Sequence, residues 1–193
     1  MFTFWNIEAI IAIEIFQSGG ISLKKEINIF DYAGHICESM KSGILLTTKD
    51  GDFVNAMTIG WGSIGIEWGK PVFIAYVRDS RYTRQILDRT GEFTVNIPVQ
   101  KADRNIISVC GMKSGREVDK IRELGLTLEE PLNLSVPGIR ELPITIECKV
   151  IFRNVQDESR LPEVIRNRYY HAINAGDYHI AYYGEIVGAY VIE

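Results

Sequence analysis

Ile44-Leu45-Leu46-Thr47-Thr48 and Phe53-Val54-Asn55-Ala56-Met57-Thr58-Ile59 are two apolar, β-branched runs joined by Lys49-Asp50-Gly51-Asp52. Such side chains pack well on a pleated surface, and an Asp-Gly pair tolerates the backbone of a tight hairpin turn. The spacing predicts a strand over 44–48, a turn, and an antiparallel return over 53–59. Moving outward, residues 72–77 repeat the pattern behind Pro71, and 93–97 repeat it before Pro98. Residues 144–155 alternate as one long strand. Residues 182–192 form a last strand, in which Gly184 and Gly188 permit a bend or bulge. Helical spacing appears over 81–90, with Ser80 as N-cap and Gly91 as stop, and more briefly over 103–109 and 118–124. A further helix is expected over 162–175. Strands with inserted helices, rather than a regular βαβ alternation, predict a mainly β fold: an antiparallel barrel with helical decorations.

The 193 residues suit one domain, and 46% hydrophobic content is enough for a real core. The body begins near Glu26, so the expected division is an N-terminal extension over 1–24 and a domain over 25–193. The extension is expected to be a short amphipathic helix ended by Gly19-Gly20, or else dispensable. It carries Glu8 and Glu14, no basic residue ahead of its apolar part and no small-residue cleavage site, unlike a signal peptide. No run of roughly 18 uncharged apolar residues predicts a membrane span. With 21 Lys and Arg against 25 Asp and Glu, the net charge of −4 argues against a nucleic-acid partner, which calls for clustered positive charge. Cys37, Cys110 and Cys148 are odd in number and scattered, as expected of reduced thiols in a cytoplasmic protein.

Several motifs fail on their physics. Gly60-Trp61-Gly62-Ser63-Ile64-Gly65 fits a dinucleotide-binding glycine pattern, but that pattern must open a helix whose N-terminus holds the pyrophosphate. Here Ile66-Glu67-Trp68-Gly69-Lys70-Pro71 leads straight to another strand. Lys113-Ser114 lacks the P-loop glycine, since Ser108 stands in its place. His35-Ile36-Cys37 has no partner at metal-ligand spacing, so no metal is expected, and the cysteines read as buried small hydrophobes. No Gly-x-Ser-x-Gly elbow is present.

Three polar clusters interrupt the apolar strands. Arg78, Ser80, Arg81 and Thr83 lie at a strand-to-helix junction, where guanidinium, hydroxyl and helix N–H groups suit a phosphate monoester. They equally suit a solvated helix cap. Asn55, Met57, Thr58 and Trp61 offer hydrogen bonds beside soft, aromatic surface, which fits a flat heteroaromatic ring or an ordinary strand edge over a core Met and Trp. Cys110-Gly111-Met112-Lys113-Ser114-Gly115-Arg116, followed by Asp119 and Lys120, has glycines that let backbone approach a ligand, or serve a flexible surface loop.

Taken in order, Asn55-Ala56-Met57-Thr58-Ile59-Gly60-Trp61-Gly62, Arg78-Asp79-Ser80-Arg81-Tyr82-Thr83, Phe93-Thr94-Val95-Asn96-Ile97-Pro98 and Cys110-Gly111 to Asp119-Lys120 resemble the flavin reductase-like family, nearest its flavoredoxin-type branch. The resemblance covers roughly residues 38–192. It implies an FMN-binding split β-barrel, usually a homodimer with flavin near the interface. By the same resemblance Asn55, Ala56, Met57 and Thr58, with Trp61, lie along the isoalloxazine. Arg78, Ser80, Arg81, Tyr82 and Thr83 serve the phosphate. Cys110, Gly111, Ser114 and Lys120 lie close to the cofactor. Relatives carry an adjacent Asp-His before the final strand; here Asp177-Tyr178-His179 has one residue more, so His179 reads either as a flavin-side group or as a core or interface histidine.

The function so implied is an FMN-binding redox protein acting as an NAD(P)H-dependent flavin reductase. The alternatives are an electron carrier served by a redox protein partner and a flavin-binding module without turnover. Thr58, Lys120 and His179 are the candidates for a direct part in the chemistry. Tyr169-Tyr170 and Tyr182-Tyr183 are expected to supply dimer surface.

Overall fold

The computed structural model describes residues 23–193; the expected helix of the N-terminal extension and its Gly19-Gly20 end lie outside them. The elements, in chain order, are β1 (Lys24–Glu26), α1 (Ala33–Met40), β2 (Ile44–Asp50), β3 (Phe53–Ile59), β4 (Gly62–Glu67), β5 (Lys70–Arg78), α2 (Tyr82–Thr90), β6 (Glu92–Ile97), α3 (Arg104–Met112), α4 (Lys120–Leu124), β7 (Leu128–Glu129), β8 (Gly138–Ile139), β9 (Ile144–Val155), α5 (Glu163–Tyr169) and β10 (His179–Ile192). The main sheet is antiparallel in the order β3-β2-β6-β9-β10-β5-β4, with β1 added to β10. Its two edge strands, β3 and β4, are separated in sequence only by Gly60 and Trp61. Three Cα steps reach about 10 Å. The sheet must therefore curl until its edges approach at that corner, while no strand pairing among the described residues closes it: a barrel left open along one side.

The predicted hairpin is present, with Ile44 opposite Ile59 and Asp50 opposite Phe53. β2 is buried on both faces, which explains its nearly continuous apolar run. Ile44 and Leu46 join the barrel interior with Phe73, Phe93, Val95 and Ile146. Leu45 turns outward with Ala56 into a second cluster, where Ile106 and Cys110 of α3 and Leu142 cover it. Over the outer side of β6 and β9 the loop after β7 is tied down by polar side chains. Asn96 Oδ1 accepts from the Ile139 N–H at 2.9 Å, and the Glu147 carboxylate accepts from the N–H groups of Leu132 and Asn133 at 2.6 and 2.9 Å. Buried polar groups so satisfied fix one register instead of costing their desolvation.

Some expectations change. Gly62 opens β4, so the glycine pattern there is a sheet corner; α1 had no distinctive sequence signal. β10 begins at His179, three residues earlier than expected, and its register shifts fall at Tyr183/Gly184 and Ile186/Gly188. The helix expected over 162–175 is α5 followed by a separate 3-10 turn, Ala172–Asn174, because the turn of Tyr170 and His171 breaks it. Ser80 is not the N-cap of α2. Arg81 occupies that position with an extended backbone and no side-chain cap. Cys110 and Cys148 are buried, but Cys37 is exposed. Tyr170 and Tyr182 are buried as well, so neither supplies free surface. No helix among the described residues is long and apolar enough to cross a membrane, and no group of three His, Cys, Asp or Glu among them could hold a metal.

Candidate functional site

A cleft lies where β3, the end of β5, the start of α2 and the α3–α4 loop converge. It has two chambers, of about 390 Å³ and about 160 Å³, that share Met57, Arg78 and Arg81 as walls. The larger chamber adds Asn55, Ser80, Tyr82, Thr83, the loop from Met112 to Arg116, Cys110 and Lys120. The smaller adds Thr58, Gly60, Trp61, Tyr76 and His179.

The larger chamber is strongly cationic. Arg81 spends one N–H on the Gly111 carbonyl at 2.8 Å and keeps the rest of its guanidinium. The Arg116 guanidinium rests on the Tyr82 ring, 5.1 Å from its centroid. Lys120 is buried, with its ammonium donating to the Lys113 carbonyl at 3.1 Å, and burial lowers its pKa. Cys110 beside it is pushed up to about 11 by burial, so it stands as a neutral thiol. Lys113 is paired with Glu123.

Asn55 Nδ2 donates to Thr83 Oγ1 at 2.8 Å, which leaves the Thr83 proton free to donate elsewhere. Asn55 Oδ1 is buried and has no partner among the described residues. A buried acceptor without a donor is costly, and here the oxygen is sealed under the Gly115 loop while the rest of the residue lines the cleft. The loop reaches this wall only because residue 115 is glycine: a Cβ there would come within 2.1 Å of Asn55 Oδ1.

Two donors of the expected phosphate cluster are already engaged. Arg78 donates to the carbonyls of Asp177 and Tyr169 at 2.9 and 3.1 Å, and the Ser80 N–H and hydroxyl donate to the Asp177 carboxylate at 2.9 and 2.8 Å. Both residues line the cleft, yet their polar contacts hold the segment 169–177 against it.

In the smaller chamber Trp61 is 40% exposed, meets Tyr169 edge-on at 5.1 Å and lies 4.7 Å from the His179 ring. The Thr58 hydroxyl donates to the Ile107 carbonyl at 2.6 Å and thereby pins α3 to β3. Burial, reinforced by Arg78, pushes His179 down to about 4, against the pull of Asp177.

The three polar clusters separated in sequence thus come together. Of their expected site residues, Asn55, Met57, Thr58, Trp61, Arg78, Ser80, Arg81, Tyr82, Thr83, Cys110, Ser114 and Lys120 line the cleft, and His179 does so too. Ala56 and Gly111 do not; Ala56 faces the second apolar cluster, and Gly111 contributes its carbonyl to Arg81. Tyr76, Ile173 and Asn174 line it without having been singled out, and Asp177 does so having been quoted only for its spacing to His179. Outward alternation along β5, which places Tyr76 two residues before Arg78, is a signal that could have found Tyr76.

The sequence profile of the Flavin reductase like domain matches residues 38–193. A protein of Archaeoglobus fulgidus, described as uncharacterized, is 30% identical over 97 residues, which are 50% of this chain and 54% of that protein. The chain therefore spans about half the length of that relative. Among solved structures, the flavoredoxin of Desulfovibrio vulgaris (Miyazaki F) is similar at 25% identity, with a TM-score of 0.59, over 78% of this chain and 69% of that one. The flavoredoxin of Methanosarcina acetivorans is similar at 25% identity, with a TM-score of 0.57, over 78% and 68%.

Proposed function

The chain belongs to the Flavin reductase like domain family, and from that membership we propose that it binds FMN in the cleft and acts as an NAD(P)H-dependent flavin reductase. The single observation that carries the reading is the convergence of Arg81, Arg116 and buried Lys120 on one chamber beside the open start of α2. A ligand with a dianionic end matches that charge. The fit extends along the cleft. Arg81, Arg116, Ser114 and the free Thr83 proton would hold the phosphate, aided by first-turn amides of α2 that have no capping side chain. Met57 and Trp61 give the apolar and aromatic surface that a flat ring needs.

Bound FMN would supply the redox chemistry itself, exchanging a hydride or single electrons. The protein's part is to orient and to balance charge. Lys120, sealed in the cleft wall, would set a positive charge beside a ligand that gains negative charge. Cys110, held as a thiol, would pack without reacting. Thr58 acts through α3, whose position its hydroxyl fixes, so it is a positioning residue in this reading.

A second reading, an electron carrier that receives electrons from a protein partner, is favoured by the similarity to two flavoredoxins. Anaerobic addition of NADH or NADPH to the FMN-loaded protein separates them. Rapid bleaching of the visible flavin band supports the reductase. Bleaching by dithionite alone supports the carrier. A homodimer is also proposed. Exposed Trp68 and Phe152 cluster with half-buried Tyr183, centroids 5.2–6.0 Å apart, a surface suited to a second copy. A monomeric mass at micromolar concentration would refute it.

A further inference from the structure

We propose that Gln156 and Tyr170 hold His179 as its Nδ1–H tautomer, so that Nε2 presents a lone pair to the smaller chamber as the acceptor for a ligand N–H. The ligand half of this inference rests on the proposed flavin site; the tautomer half does not.

The His179 backbone N–H donates to Gln156 Oε1 at 3.3 Å, which fixes the oxygen end of that amide toward the pair. The Tyr170 hydroxyl lies 2.7 Å from the same Oε1. An amide oxygen only accepts, so the single Tyr170 proton goes there. The hydroxyl also lies 2.6 Å from His179 Nδ1. With its proton spent, it must accept, and Nδ1 must carry a hydrogen. A ring flip would set a C–H at that same short distance, so the flip is excluded by size. A neutral imidazole has one N–H, and Nε2 therefore has none.

The surroundings keep the ring neutral. Burial disfavours the charged form, Arg78 from β5 and Arg81 from the start of α2 add repulsion, and Asp177 alone opposes them. Trp61 covers the ring without offering a hydrogen bond to it. Nε2 receives no hydrogen bond among the described residues, and it is not among the atoms sealed without a partner. His179 lines the chamber, so this lone pair opens to it. Its chemical match is an imide or carboxamide N–H, as found on the flavin ring and on nicotinamide.

The test is a long-range ¹⁵N–¹H spectrum of ¹⁵N-histidine protein, flavin-free and at neutral pH. The chain has three histidines, and His179→Gln assigns the resonance. The expected pattern is a protonated Nδ1 and a bare, pyridine-type Nε2. Tyr170→Phe should convert His179 to the Nε2–H form. Should that variant not fold, Gln156→Leu frees the Tyr170 proton for Nδ1 and should convert it likewise. An Nε2–H or doubly protonated ring in the parent protein, or no change in the folded variants, would overturn the assignment.

FMN is then added, followed by nicotinamide. An Nε2 shift with FMN names the flavin as donor, and a shift only with nicotinamide names the carboxamide. No shift with FMN bound and nicotinamide present overturns the acceptor role. Failure of FMN to bind overturns the proposed function and the acceptor role together, while the tautomer stands or falls on the flavin-free spectrum.

Discussion

Arg81 is the cation with most to give a ligand: one N–H holds the Gly111 carbonyl, and the guanidinium fronts both chambers. Arg81→Ala should weaken FMN by about 1.5–3 kcal/mol, the usual value of a hydrogen bond to a charged group. Riboflavin, which lacks the phosphate, should lose little. Equal losses in a fluorescence titration would place Arg81 away from the phosphate. His179 gives a second test at this scale. Its folded pKa lies near 4 against 6.5 unfolded, so the unfolded chain binds a proton that the folded chain refuses. Stability from this group is complete above pH 6.5 and declines as pH falls toward 4, by up to about 3 kcal/mol. Denaturation midpoints across that range should fall less steeply in His179→Gln; parallel curves would contradict the depressed pKa. That Asn55, Arg81 and Thr83 would meet in one polar cleft was legible from their residue types. Asp177 was not, because it meets Ser80 across 97 positions of sequence and nothing near either residue announces the other.

Elements were legible where their signal was local. The β2–β3 hairpin followed from Asp50-Gly51, and the irregularities of β10 followed from Gly184 and Gly188. α2 stops at Gly91, which adopts the left-handed backbone as expected. Its start was misplaced because a serine before a helix looks like a cap until a more distant carboxylate takes its hydroxyl. The helix expected over 162–175 ended early for the same reason: segment 169–177 is held by Arg78 and Ser80, not by its own spacing. Gly184 carries an element-scale prediction. A Cβ there would come within 2.6 Å of the Phe93 ring and 2.7 Å of Cys148 Cβ, both fully buried. Gly184→Ala should destabilise by about 1–3 kcal/mol through overpacking. An unchanged thermal midpoint would show that β9 and β10 separate there at no cost.

The whole molecule joins distant parts of the chain at one corner. The two-residue link between the sheet's edges brings Trp61 beside His179, and the curl sets β3 against α3 and the α4 ammonium. That curl was foreseen as a fold but not as the reason the three clusters meet. The N-terminal extension is expected to be dispensable for flavin binding. β1 pairs Lys24 with Ile192 and Glu26 with Tyr190, so a protein beginning at Ile21 keeps the strand. It should bind FMN with unchanged affinity, measured by calorimetry, while any effect appears in solubility or dimer strength. Loss of flavin with an intact circular dichroism spectrum would bring the extension into the site.

The most direct measurement is calorimetric titration of FMN into the flavin-free full-length protein, beside the same titration of Asn55→Leu. That substitution removes the unpartnered oxygen and the Thr83 contact together. The account predicts saturable binding of one FMN per chain and much weaker binding to the variant. No saturable binding by the parent protein, or equal binding by a folded Asn55→Leu, would contradict it.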